Sequence, residues 1–169
     1  TALARTDNRK GSEVALTTAL KPATTYRIEK QSTGGEKRIN ECCCGAVTQI
    51  DIGPDGSRRV LYPDGMVSTA AEQPDPRWGM QSPLLKQLTL TTPGGLKSTL
   101  AMERKIDLRD AANPLSLKTL TDTLTINGRA FKNTFDAGLK QVTRETPAGR
   151  KTVTTLDARG RVVKAEAPG

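Results

Sequence analysis

Three cysteines stand together at Cys42-Cys43-Cys44, just ahead of Gly45, and they are all the thiols the chain has. Thiolates are the strongest side-chain nucleophiles and soft-metal ligands, so this run is where chemistry would first be sought. A structural zinc site needs four ligands, and no second cluster completes one. Neighbouring cysteines are also poorly placed to bond to each other. In a strand, Cys42 and Cys44 would share one face as buried thiols, with Cys43 on the other face as the reactive one. The redox compartment stays open. Histidine is absent altogether, which removes Ser-His-Asp and Cys-His pairs, histidine zinc sites and imidazole acid–base catalysis. Thr1 has the chemistry of an N-terminal nucleophile, but any chain cut ahead of a threonine begins the same way. No catalytic residue, metal or cofactor is assigned, and an enzyme is not expected.

The carboxylates with the most regular spacing are Asp64, Asp136 and Asp157. Each lies eight residues after a glycine, at Gly56, Gly128 and Gly149, and is followed by another at Gly65, Gly138 or Gly160. An aspartate in such a setting accepts a hydrogen bond from the amide two residues on and closes a turn. Catalytic carboxylates would converge on one cleft, whereas one copy per unit points to architecture. Gly56, Asp64, Gly128, Asp136, Gly149, Asp157 and Gly160 are therefore expected to be structural turn positions. Arg129, Arg150 and Arg161 follow turn glycines and are expected to pair with strand carboxylates, with anion binding as the alternative. Trp78 is the sole tryptophan and lies in Asp75-Pro76-Arg77-Trp78. It reads as an anchor for that connection. Stacking on a sugar ring is the alternative, which makes Trp78 the one candidate ligand-binding residue. Gly34-Gly35-Glu36-Lys37 lacks the first glycine and the Ser/Thr of a phosphate loop, so a hairpin turn is preferred.

The elements that must carry these residues read as strands. In Leu120-Thr121-Asp122-Thr123-Leu124-Thr125-Ile126 apolar residues and threonines largely alternate. Leu100, Met102, Ile106 and Leu108 share one parity, and Cys42, Cys44, Ala46, Thr48, Ile50 and Ile52 form a third row. Period-two alternation marks half-buried strands. The 98–112 stretch has helix-forming composition, but its alternation favours a strand. Turn signals punctuate the rows at Gly34-Gly35, Pro54-Asp55-Gly56, Pro63-Asp64-Gly65, Pro93-Gly94-Gly95, Asn127-Gly128 and Pro147-Ala148-Gly149. Asn127-Gly128 between alternating runs is the strongest short hairpin signal. All-β, as successive antiparallel hairpins, is the expected class.

Composition narrows the function further. The 169 residues are 35% hydrophobic and 3% aromatic, with a net charge of +8. No stretch reaches the roughly 18 apolar residues of a membrane helix, so a soluble class without a transmembrane segment is expected. No charged-then-apolar leader is visible at the start. The basic excess suits an anionic partner. However, the cations are scattered among acids and few aromatic rings could stack on bases, so nucleic acid is not an expected partner.

The glycine–aspartate units, GSRRVLYPD, GRAFKNTFD and GRKTVTTLD, form an internal repeat, the last two offset by 21 residues. They resemble the Rhs/YD-repeat family of bacterial polymorphic toxins, insecticidal toxin-complex subunits and, more distantly, teneurins. The family unit is G-x-x-x-x-Y-x-Y-D-x-x-G-R. The stretch from Gly149 to Arg161 follows it with Leu156 in place of a tyrosine, Phe135-Asp136 stands for Tyr-Asp, and Tyr62 is displaced by one from Asp64. The resemblance implies a β-sheet ribbon that spirals into a hollow, passive shell around a toxic C-terminal domain. Residues 45–169 would then be a diverged YD-repeat-like region forming part of that wall. Residues 1–44 would be an unassigned strand and loop segment. The implied partners are other repeats of the same longer chain and the enclosed domain, and the implied location is secreted or cell-surface associated. A carbohydrate- or cell-surface-binding β module is the alternative. In the family the core often ends in an aspartyl self-cleavage motif beginning Asp-Pro-x-Gly. Here Asp75-Pro76 is followed by Arg77 and Trp78, and it reads as a turn.

Overall fold

A computed structural model describes residues 1–20 and 22–167, so Pro168 and Gly169 at the end of the repeat-like region lie outside the described residues. Among those described, every regular element is a strand. The strands are β1 (Ala2–Asn8), β2 (Gly11–Thr17), β3 (Ala23–Lys30), β4 (Glu36–Glu41), β5 (Val47–Ile52), β6 (Arg58–Leu61) and β7 (Val67–Asp75). They continue as β8 (Gly79–Thr91), β9 (Lys97–Leu108), β10 (Leu117–Ile126), β11 (Arg129–Asp136), β12 (Gln141–Glu145), β13 (Lys151–Leu156) and β14 (Val162–Glu166). Each is hydrogen-bonded to the next in sequence in one open antiparallel sheet. The expected all-β architecture of hairpins is the one found, and the 98–112 stretch is strand as far as Leu108.

Contacts group the chain into two compact units. The first comprises Thr1–Glu72 and Leu88–Ser98, and the second Gln73–Gln87 and the chain from Thr99 onward. Strands β1 to β4 form antiparallel hairpins like those that follow.

Among the described residues, seven hairpins close through one backbone device. In the turn Tyr62-Pro63-Asp64-Gly65-Met66, the Tyr62 N–H donates to the Met66 carbonyl at 2.9 Å and the Gly65 N–H to the Tyr62 carbonyl at 2.9 Å. The same pair of bonds recurs around Gly34, Gly45, Gly56, Gly95, Gly149 and Gly160. The glycine in all seven has φ between 76° and 86°, the left-handed conformation that a tight turn ending in a one-residue bulge demands. Asn127-Gly128 is different. Both residues have positive φ, 47° and 81°, and Ile126 pairs directly with Arg129, as in a two-residue hairpin with the strand's own twist.

The cysteines correct the sequence reading. The run is not part of a strand: Cys42 to Gly45 occupy the turn between β4 and β5. Cys42 and Cys44 are not buried thiols but are joined as a disulfide, their Cα atoms 5.4 Å apart, and Cys43 is free and exposed. The turn brings the two ends within bridging distance, which extended backbone would not.

Register decides which side chains share a face. In the second unit Leu100, Met102, Arg104 and Ile106 of β9 stand opposite Ile126, Leu124, Asp122 and Leu120 of β10. Leu124 and Leu120 in turn face Phe131 and Phe135 of β11, and Phe135 faces Val142 of β12. On that face a polar row of Arg104, Asp122, Asn133 and Arg144 runs between the apolar residues. The other carries Thr119, Thr121, Thr123 and Thr125 with Glu103, Lys105 and Asp107, and the Thr121 and Thr134 hydroxyls meet at 3.1 Å. In the first unit Val14, Tyr26, Ile28, Ile50, Ile52 and Val60 share a face. The opposite face holds the Arg27–Glu13 and Arg59–Asp51 pairs. Among the described residues no apolar side chain is buried; only Ser68 and Asp75 are.

Candidate functional site

Asp75 ends β7, and the Pro76–Trp78 turn leads into β8. Its carboxylate accepts from the Arg77 amide at 2.7 Å and the Trp78 amide at 3.2 Å, so one side chain pins the whole turn. Arg104 on β9 donates to it through Nη1 at 3.0 Å. The same guanidinium grips Asp122, its cross-strand neighbour on β10, through Nε at 2.7 Å and Nη2 at 2.8 Å. Fork-to-fork geometry of this kind is the strongest form of ion pair. The Asp75 side chain is 1% exposed. Burial works to raise its pKa, but the Arg77 amide, the Arg104 guanidinium and the Trp78 amide outweigh it, and the carboxyl lies below its ordinary range. Arg104 is raised, chiefly by its hydrogen bonds to Asp122. Both acids are thus held as acceptors, and the cluster ties a turn to two strands.

Trp78 sits on this pinned turn with 36% of its surface exposed. The Arg77 guanidinium lies 5.5 Å from the ring centroid, within cation–π range. The Asp75 carboxylate holds the connection in place through the Arg77 and Trp78 amides. Asp75 is the last strand residue and Pro76 the first of the turn.

Each of the regularly spaced aspartates serves its own turn. Asp64 accepts from the Met66 amide at 2.9 Å, Asp136 from Gly138 at 2.8 Å and Asp157 from Arg159 at 2.8 Å, each two residues on. Asp157 is further lowered in pKa by the amide and side chain of Arg161. Their turns nonetheless differ. Asp64 is the third residue of its turn and Asp157 the first, while Asp136 opens the Ala137–Lys140 loop, whose last residue has φ 53°. Of the turn arginines, Arg161 pairs with Asp157 at 2.7 Å. Among the described residues Arg129 and Arg150 have no acidic partner, and both line an open cleft of about 840 Å³ with Phe131 and Lys132. No group of three or more acidic or cysteine side chains is arranged to hold a metal ion among the described residues. Among the described residues no helix is long and apolar enough to cross a membrane.

Neither the family models nor the curated proteins match this chain.

The sequence did not single out the Asp75–Arg104–Asp122 cluster. Its one visible trace is that Arg104 and Asp122 interrupt apolar rows at the same parity, which is what a charged cross-strand pair on a half-buried face looks like.

Proposed function

We propose that the chain is a non-catalytic scaffold, a section of β-sheet wall in an Rhs/YD-repeat-like shell that encloses and helps deliver a C-terminal effector. The observation that carries this reading is the lack of any buried apolar side chain among the described residues, combined with an apolar face on the second unit. A sheet with one greasy face must cover it. A wall whose inner surface meets enclosed cargo or further repeats does so. Repeated hairpins joined by one turn device are the economical way to extend such a wall. The cluster around Asp75 suits the same role, since it locks a turn and both its carboxylates are spent on Arg104.

The test is the mass of the native polypeptide in the producing cells. A chain several times longer than 169 residues supports the wall, and its C-terminal end is then where activity should be sought. A native chain of about this length cannot close a shell and contradicts the reading.

The half-exposed Trp78 beside Arg77 and the unpaired Arg129 and Arg150 in their cleft favour a second reading, a module that binds cell-surface carbohydrate. Titration with sulfated and neutral glycans separates the two. The scaffold shows no saturable binding. The module binds, and loses at least tenfold in affinity on Trp78→Ala, as about 1.4 kcal/mol of lost stacking would give.

A further inference from the structure

Of the seven hairpins seen to share one turn device among the described residues, the one at Cys42–Ala46 carries the three cysteines. The Cys42 N–H donates to the Ala46 carbonyl at 3.0 Å and the Gly45 N–H to the Cys42 carbonyl at 2.9 Å. The cysteine-free turn at Tyr62–Met66 has the same two bonds at the same lengths within 0.1 Å. The bridge is therefore not what folds this turn. A disulfide between residues two apart also restrains the unfolded chain least, because the entropy removed grows with the length of the loop closed. A structural role leaves both the bridge and its place unexplained. Cys43 and Cys44 are exposed, so a free thiol and an attackable disulfide stand side by side in solvent.

We propose that the Cys42-Cys43-Cys44 turn is a thiol–disulfide exchange site for small thiols and disulfides or for those on flexible chain segments. A thiolate of an external dithiol attacks the exposed Cys44 Sγ. A new S–S bond forms, the Cys42–Cys44 bond breaks, and Cys42 leaves as a thiolate that takes up a proton. The second thiolate of the dithiol then attacks the mixed disulfide and releases Cys44, which is protonated in turn. The protein gains two electrons and two protons, and the dithiol leaves as its disulfide. In the reverse direction, the reduced turn gives the pair back to an external disulfide. The Cys43 thiolate offers a separate entry: it attacks an external disulfide, keeps one half as a mixed disulfide and expels the other as a thiolate. The backbone bonds of the turn serve both states, so exchange costs no fold. None of this rests on the wall reading.

The test equilibrates the 169-residue chain in glutathione buffers of graded oxidised-to-reduced ratio, then quenches with an alkylating reagent and weighs the products. Amide hydrogen exchange of β4 and β5 is followed on the same samples. At the oxidising end Cys42 and Cys44 should be protected from alkylation, with Cys43 free or carrying glutathione. At the reducing end all three should be alkylated, reversibly and with β4–β5 protection unchanged. Cys43→Ser should keep the two-thiol transition and lose the glutathione adduct, and Cys44→Ser should abolish the transition. Several results would overturn the proposal: a bridge that resists the reducing end or fails to re-form, β4–β5 amides that lose protection on reduction, or amides unprotected in both states.

Discussion

Asp75 commits a buried carboxylate to three donors, two of them amides of its own turn and the third the Arg104 guanidinium. Removing it strips the turn of its acceptor and leaves Arg104 with one partner instead of two. Asp75→Ala should destabilise the second unit by about 3 kcal/mol, the lower end of the cost of breaking a buried ion pair, because Arg104 keeps 20% exposure. Urea unfolding followed by amide exchange of β9 and β10 measures it. The same residue sets a pH dependence. Its folded pKa is lowered, so its contribution is whole above the unfolded value of about 3.9. It is lost as pH falls through the lower folded value. The Pro76–Trp78 turn should loosen in that acid window, and the acid loss should be absent in Asp75→Ala.

Hairpins are the element at which sequence and structure agree most closely, and also where they part. Alternation over 120–126 and the Asn127-Gly128 pair prescribe a hairpin because period two and φ > 0 are local demands, satisfied without reference to the rest of the chain. The cysteine row failed because the same period-two count ran through a turn. Cys42, Cys44 and Ala46 have the parity of Thr48 and Ile50, but Gly45 sits where Gly34 and Gly56 sit, eleven residues to either side. That glycine spacing was the signal available. The eight-residue glycine-to-aspartate offset spans β6, β11 and β13, which are four, eight and six residues long, so it fixes no turn position and concealed three different turns. At Gly160 the φ is 77° and an added Cβ would touch nothing. Gly160→Ala should therefore cost only the left-handed strain of about 1 kcal/mol, and differential scanning calorimetry should show a small fall in Tm. At Gly11 an added Cβ would collide with the Ile28 backbone carbonyl. Gly11→Ala should instead break the β2–β3 register, seen as lost amide protection across both strands.

At the scale of the molecule, what stands out is that no apolar side chain is buried among the described residues. Its composition, 35% hydrophobic, supplies enough apolar residues for one face of a sheet but not for a second layer. Which residues lie on that face could be read from parity alone. How Arg104 and Asp122 find Asp75 could not, since it depends on pairing across residues 29 apart. The central claim is that the apolar face of the second unit is covered in the working protein. Hydroxyl-radical footprinting of Met102, Phe131 and Phe135 tests it most directly, comparing the 169-residue chain with the native polypeptide. The wall reading predicts that all three label readily in the chain alone and are strongly protected in the native polypeptide. Equal labelling in both would mean that nothing covers the face, and the scaffold reading would fall.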